Sequence, residues 1–212
     1  MLDAGAGRAA AVLRLPDDRT FVGESAAAAP HSQAILPLLQ GLLTQAGATW
    51  RDLGLLAQGV GPGSLTGLRV AAATLAGLNA SLQLPVLPLS SLAIAAMQTD
   101  ADDDLWVIED ARASECFVGL YRQGEALLPD RCLTVAELAQ LPPGSYLGNP
   151  PPGSLTGWQQ LPPKRTRAEA LALLLDLRLA RLDAAEVASL PRRQLPLYLN
   201  LSQAERSAMR YG

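Results

Sequence analysis

Histidine occurs once in the 212 residues, as His31, and cysteine twice, as Cys116 and Cys132. A single imidazole rules out any two-histidine metal site and every HExxH arrangement. A Ser–His–Asp or Cys–His nucleophilic system would have to use His31. That residue opens a predicted helix, where the helix dipole disfavours an imidazolium. A neighbouring loop bonded to the ring is the plainer reading. Two cysteines without a CxxC spacing offer one disulfide at most, and buried thiols in a reducing compartment are the simpler expectation. Aromatic residues make up only 4% against 49% hydrophobic residues overall. The core must therefore be built mainly from Leu, Val and Ala, and smooth helices of this kind favour burial against one another. No Lys/Arg run stands out: the densest basic stretch is Lys164, Arg165 and Arg167, and the formal net charge is −3. A protein that holds nucleic acid alone usually presents a basic face, so direct nucleic-acid binding is not expected from this chain by itself. No leader-like segment opens the chain, and no apolar run reaches the roughly 18–20 residues that a membrane span needs. A cytoplasmic protein, away from membranes, is expected.

What is present is an alternation of strand and helix signals. Met1–Gly7 reads as a very short strand running into a Gly-rich turn. Residues 9–15 and 20–25 read as a hairpin about Pro16-Asp17-Asp18. Residues 30–46 carry Ile35, Leu38, Leu39, Leu42 and Leu43 at helical spacing, with Gly47 as C-cap and Pro37 as an internal irregularity. Residues 53–60 read as a buried strand, 68–82 as an Ala/Gly-rich helix, 86–89 as a strand and 90–97 as a helix capped by Ser90 or Ser91. The acidic stretch 98–104 is the candidate lobe boundary. Beyond it come strand-like runs at 105–109 and 116–122, a Pro/Gly-rich zone at 141–163 and a helix at 167–182. This order predicts an α/β fold in two lobes, residues 1–98 and 99–212. The hexapeptide Pro-Gly-Ser-Leu-Thr-Gly occurs at 62–67 and again at 152–157; two copies in different contexts do not make a repeat architecture.

Several segments can carry chemistry. In Gly59–Arg69, a strand enters a glycine-rich loop and a small-residue helix leaves it. Such a loop either offers backbone N–H groups to a phosphate or forms a tight turn whose Ser64 or Thr66 caps the helix. It is not a Walker A loop, because no Gly-Lys-Ser/Thr follows. Asp3-Ala4-Gly5-Ala6-Gly7 is either a second phosphate-facing turn, with Asp3 near a metal-bound water, or a turn-forming Asp. Asp110-Ala111-Arg112 either forms a local ion pair or presents Arg112 to a cleft. Asp102, Asp103 and Asp104 read as a solvated linker, since three consecutive carboxylates do not converge on one ion. The candidate nucleotide-binding residues are therefore Asp3, Gly5, Gly61, Gly63 and Ser64, with ATP or ADP–Mg as the only cofactor suggested and no metal site expected.

Three of these segments, in this order and spacing, resemble the bacterial TsaB (YeaZ) family: His31-Ser32-Gln33-Ala34-Ile35-Leu36-Pro37, then Gly61–Arg69, then Asp110-Ala111-Arg112 with Glu115. Leu2–Leu15 and Pro196-Leu197-Tyr198-Leu199 add to the likeness. The resemblance implies a two-lobed actin-like ATPase (ribonuclease H-like) fold. It also implies a role in making threonylcarbamoyladenosine in tRNA, as a scaffold for a catalytic TsaD-like subunit joined by a TsaE-like ATPase, with tRNA engaged only through the complex. Homodimers and heterodimers would form through the first two long helices. The helix after the Gly-Pro-Gly segment carries a metal-binding His-x-x-x-His in the TsaD relatives; the matching positions here are Ser91 and Ala95, which supports a non-catalytic subunit. On these grounds Ile35, Leu38, Leu39, Leu42, Ala72 and Ala76 are the expected interface. The competing expectation is a stand-alone nucleotide-dependent kinase or ATPase built on Asp3 and the Gly61–Gly67 loop. A peptidase finds no catalytic set.

Overall fold

A computed structural model describes residues 1–27, 29–101 and 103–199; Asp102 of the acidic run lies outside the described residues. Two five-stranded sheets form the frame. In the first, β1 (Leu2–Asp3) lies between β2 (Ala10–Arg14), its antiparallel partner, and β4 (Leu56–Gly61), its parallel one. Strand β3 (Thr20–Glu24) closes the hairpin with β2, and β5 (Val86–Ser90) lies parallel to β4, giving the order β3-β2-β1-β4-β5. The very short first strand read from the sequence is thus the centre of the sheet.

Helix α1 (His31–Ala46) buries Ile35, Leu39, Leu42 and Leu43 and continues through Pro37, which lies on its exposed side. Gly47 closes it at φ 67°, a left-handed conformation that costs glycine little, and returns its N–H to the Leu43 and Thr44 carbonyls. Helix α2 (Leu65–Leu82) begins three residues earlier than periodicity suggested, because Ser64 caps it and accepts from the Gly67 N–H. Its buried Asn79 is satisfied by Leu84 and by the Arg192 carbonyl at 2.7 Å, which ties the tail of the chain to the helix. The six residues of α3 (Ser91–Ala96) are all buried, with Ser90 as cap.

The second sheet has the order β10-β9-β6-β7-β8. Its centre is the hairpin of β6 (Leu105–Arg112) and β7 (Glu115–Arg122) predicted on either side of Asp110–Arg112. The edge strand β8 (Glu125–Thr134) has no clear alternation, is largely exposed and contains Pro129, so it carries no strand signal of its own. Strands β9 (Ser145–Leu147) and β10 (Gln159–Gln160) run through the Pro/Gly-rich zone. Cys116 and Cys132 lie on β7 and β8, opposite Leu133 and Phe117. Cys116 is buried, which pushes its thiol up to about 11, whereas Cys132 is half-buried.

Three further α-helices follow among the described residues: α4 (Val135–Leu138), α5 (Arg167–Leu179) and α6 (Ala184–Ser189). A Thr166/Glu169 capping box starts α5. Although it follows the second sheet in sequence, α5 packs on β2, β3 and α3 of the first. One apolar cluster consequently runs from Val12 and Leu89 through Ile94 to Val107, Tyr121 and Leu171. The change of sheet falls between β5 and β6, where the acidic stretch lies, and the two halves share a core. Among the described residues no helix is long and apolar enough to cross a membrane.

Candidate functional site

The carboxylate of Asp3 ends β1 and is fully buried. Its space exists because Gly59 faces it: a Cβ there would stand 2.1 Å from Asp3 Oδ1. Asp3 Oδ2 accepts from Arg167 Nε at 2.7 Å, and Oδ1 accepts from Ser91 Oγ at 2.6 Å and from the Gly5 N–H at 3.3 Å. Arg167 Nη2 also donates to the Ser91 carbonyl at 2.8 Å. The next residue, Ala168, donates its N–H to Glu24 on β3. A buried carboxylate thus meets a guanidinium that is itself hydrogen-bonded, the condition under which such a pair is tolerated. Nearby, burial raises the Glu109 carboxyl above the usual range, against the lowering pull of Arg167 and of hydrogen bonds from Asn149.

The glycine-rich loop closes over the same point. Ser64 donates its N–H to the Gly5 carbonyl at 2.8 Å, and the Gly61 N–H donates to Ser91 Oγ at 3.1 Å. A Cβ on Gly63 would stand 2.2 Å from the Gly5 carbonyl oxygen, and one on Gly67 would stand 2.0 Å from that of Ala4. Glycine is needed here because two backbones touch. The five sequence candidates Asp3, Gly5, Gly61, Gly63 and Ser64 therefore do come together: Gly63 lies against Gly5, and the other four are bonded among themselves and to Ser91 and Arg167. In this arrangement the Gly61 and Ser64 N–H groups are used within the protein; a phosphate cradle directs such groups outward.

His31 lies beside this junction, its Nε2 3.1 Å from where a Gly67 Cβ would be. Ser91 serves as a connector between Asp3 and Gly61, and Ala95 is buried. Asp110 accepts from the Arg112 backbone N–H at 2.7 Å, holding the β6–β7 turn through its carboxylate. The sequence places Arg167 in a basic stretch and at the start of the 167–182 helix, with nothing local to pair it with Asp3. The visible signal was its place as the first helical residue after the Thr166 cap.

Comparison with known proteins follows this geometry. The family described as "TsaD: tRNA N6-adenosine threonylcarbamoyltransferase" matches residues 22–157. The chain belongs to this family, on its TsaB (YeaZ) side. It is 35% identical over 98 residues to the tRNA threonylcarbamoyladenosine biosynthesis protein TsaB of Escherichia coli K12, covering 45% of this chain and 42% of that one. To the TsaB of Haemophilus influenzae it is 33% identical over 119 residues, covering 55% and 50%. The match thus spans about half the length of these curated relatives. YeaZ from Pseudomonas aeruginosa superposes with a TM-score of 0.73 at 26% identity, covering 93% of this chain and 97% of that one. The TsaB-like chain accordingly has the two-lobed actin-like, ribonuclease H-like fold expected of it.

The expected interface residues are placed differently from the sequence reading. Ile35, Leu39, Leu42 and Ala72 lie inside the chain's own core. Leu38 is half-buried, with its Cδ1 2.9 Å from where a Gly23 Cβ would be, and Ala76 is half-buried. The apolar stripe of α1 is used by its own sheet and by α2. Outward positions include Leu36 and Pro37 on α1, and Leu65, Arg69, Ala73 and Gly77 on α2.

Proposed function

We propose that this chain is a non-catalytic subunit in the synthesis of threonylcarbamoyladenosine in tRNA, acting by binding a TsaD-like catalytic partner in the cytoplasm. The observation that carries the reading is the closed junction at Asp3. The acid and the glycine-rich loop that an actin-like ATPase would turn towards a nucleotide are tied together through Gly5 and Ser91, and the acid is held by Arg167. A phosphate would have to break a buried ion pair to enter. Family membership supplies the pathway, because the curated relatives carry it in their names. What remains on the surface is a docking face rather than a reaction centre. On α2 it includes exposed Leu65, Ala73 and Gly77, and on α1 exposed Leu36. Through these helices the chain pairs with itself when alone and with the TsaD-like subunit when that is present. A TsaE-like ATPase joins the assembly, and tRNA is met through the complex.

Light scattering after size exclusion, on the chain alone and with the TsaD of the same organism, tests this. A heterodimer should replace the homodimer. Leu36→Glu combined with Ala73→Glu should abolish it while leaving thermal unfolding unchanged. Separate elution with TsaE and nucleotide present, or an ATP turnover lost in Asp3→Ala, would instead support the stand-alone nucleotide enzyme.

A further inference from the structure

Ser90 and Ser91 are adjacent but serve opposite sides of the fold. Ser91 bonds to Asp3, whereas Ser90 reaches the second sheet. Ser90 Oγ donates to Asp130 Oδ2 at 2.5 Å, and the Tyr121 hydroxyl donates to Asp130 Oδ1. The two hydroxyl oxygens are 3.1 Å apart. This cluster lines a cavity of about 360 Å³, whose other walls include Leu87, Pro88, Leu89, Ala93 and Ala126. Gly119 makes room for it, since a Cβ there would stand 2.5 Å from Asp130 Oδ1.

The balance of donors and acceptors decides what can enter. Ser90 and Tyr121 have one hydroxyl hydrogen each, and both are directed at Asp130. Ser90 Oγ already accepts from the Leu92 and Ala93 N–H groups. The cluster facing the cavity therefore has acceptor capacity left on Asp130 and Tyr121, a negative charge and no remaining hydroxyl hydrogen. Arg178 lines the same cavity, but its guanidinium is held by Glu125 at 2.8 Å and by the Gly124 carbonyl. Burial raises the Asp130 carboxyl above its ordinary range, the direction expected when no cation compensates a desolvated acid. A primary ammonium supplies three donors and the missing charge, and its alkyl stem would lie along the apolar wall. The size suits a small ligand.

We infer that the Ser90–Tyr121–Asp130 pocket is a binding site for a primary alkylammonium group, either a free amine or a lysine side chain of another protein. This site is separate from the Asp3 junction and does not depend on the partner reading above.

The test is calorimetric titration of the full chain at neutral pH and low salt with n-butylamine, with n-butanol as the neutral comparator. Butylamine should bind, and Asp130→Asn, which removes the charge while its one amide oxygen still accepts from one of the two hydroxyls, should weaken it by on the order of tenfold. Ala126→Phe, at an exposed wall position, should also block it and serves if the Asn variant does not fold. Nα-acetyl-lysine N-methylamide separates the sources. Tighter binding than butylamine points to a protein side chain, and weaker or equal binding to a free amine. If neither amine binds, if butanol binds as well, or if folded Asp130→Asn keeps its affinity, the inference is wrong and the cluster is only a polar tie between the sheets.

Discussion

Removing the guanidinium of Arg167 while Asp3 remains would leave a charge in a site where the acid is fully buried. Arg167→Met is therefore expected to cost about 3–5 kcal/mol, read from urea unfolding. Adding Asp3→Asn should recover part of that loss, because the two changes act on one network. Glu109 gives a different test, in pH. Its folded-state pKa is raised by burial, so its contribution to stability is present below the ordinary carboxylate range and is lost as pH rises through the folded value. Glu109→Gln is accordingly expected to be more favourable relative to the native chain at pH 7 than at pH 4, measured by denaturant midpoints at both. Neither role was legible in the sequence. Asp3 was visible as a candidate because it precedes a glycine-rich turn, but its cation lies 164 positions away on α5. No local pattern encodes such a pairing.

Elements were more readable than their neighbours. The stripe on α1, the caps at Gly47 and Ser64 and the β6–β7 hairpin follow from period and turn chemistry alone. The stripe, however, records burial and not by what; Leu39 and Leu42 proved to face their own sheet. Helix α2 contains two glycines that separate local propensity from packing. Gly77 has open space where a side chain would go, so Gly77→Ala should stabilise the chain by about 0.5–1 kcal/mol. Gly67 has the Ala4 carbonyl 2.0 Å from the same point, so Gly67→Ala should destabilise by about 1–3 kcal/mol. Thermal unfolding of the two variants should move in opposite directions. Equal shifts would mean that the contact between the loop and the β1 turn does not exist.

At the scale of the whole molecule, α5 crosses back over the first sheet and the apolar cluster is continuous between the two. Calorimetry should therefore show one unfolding transition, with equal calorimetric and van't Hoff enthalpies; two resolved transitions would mean that residues 1–98 and 99–212 fold separately. The sequence by itself determined the α/β class, the order of the main elements and the exclusion of two-histidine metal chemistry, because each depends on local period or on the count of a residue type. The tertiary structure alone decided where the motifs lie and what they touch. The same Pro-Gly-Ser-Leu-Thr-Gly lies at the entry to α2 in one copy, its glycines pressed on the β1 turn, and in a loop between β9 and β10 in the other. The glycine-rich loop became a closed junction because Gly5 and Ser91 accept from its Ser64 and Gly61 N–H groups and Arg167 holds the acid beside it. Gly5, Ser91 and Arg167 come from three distant parts of the chain, and only folding places them within hydrogen-bond reach.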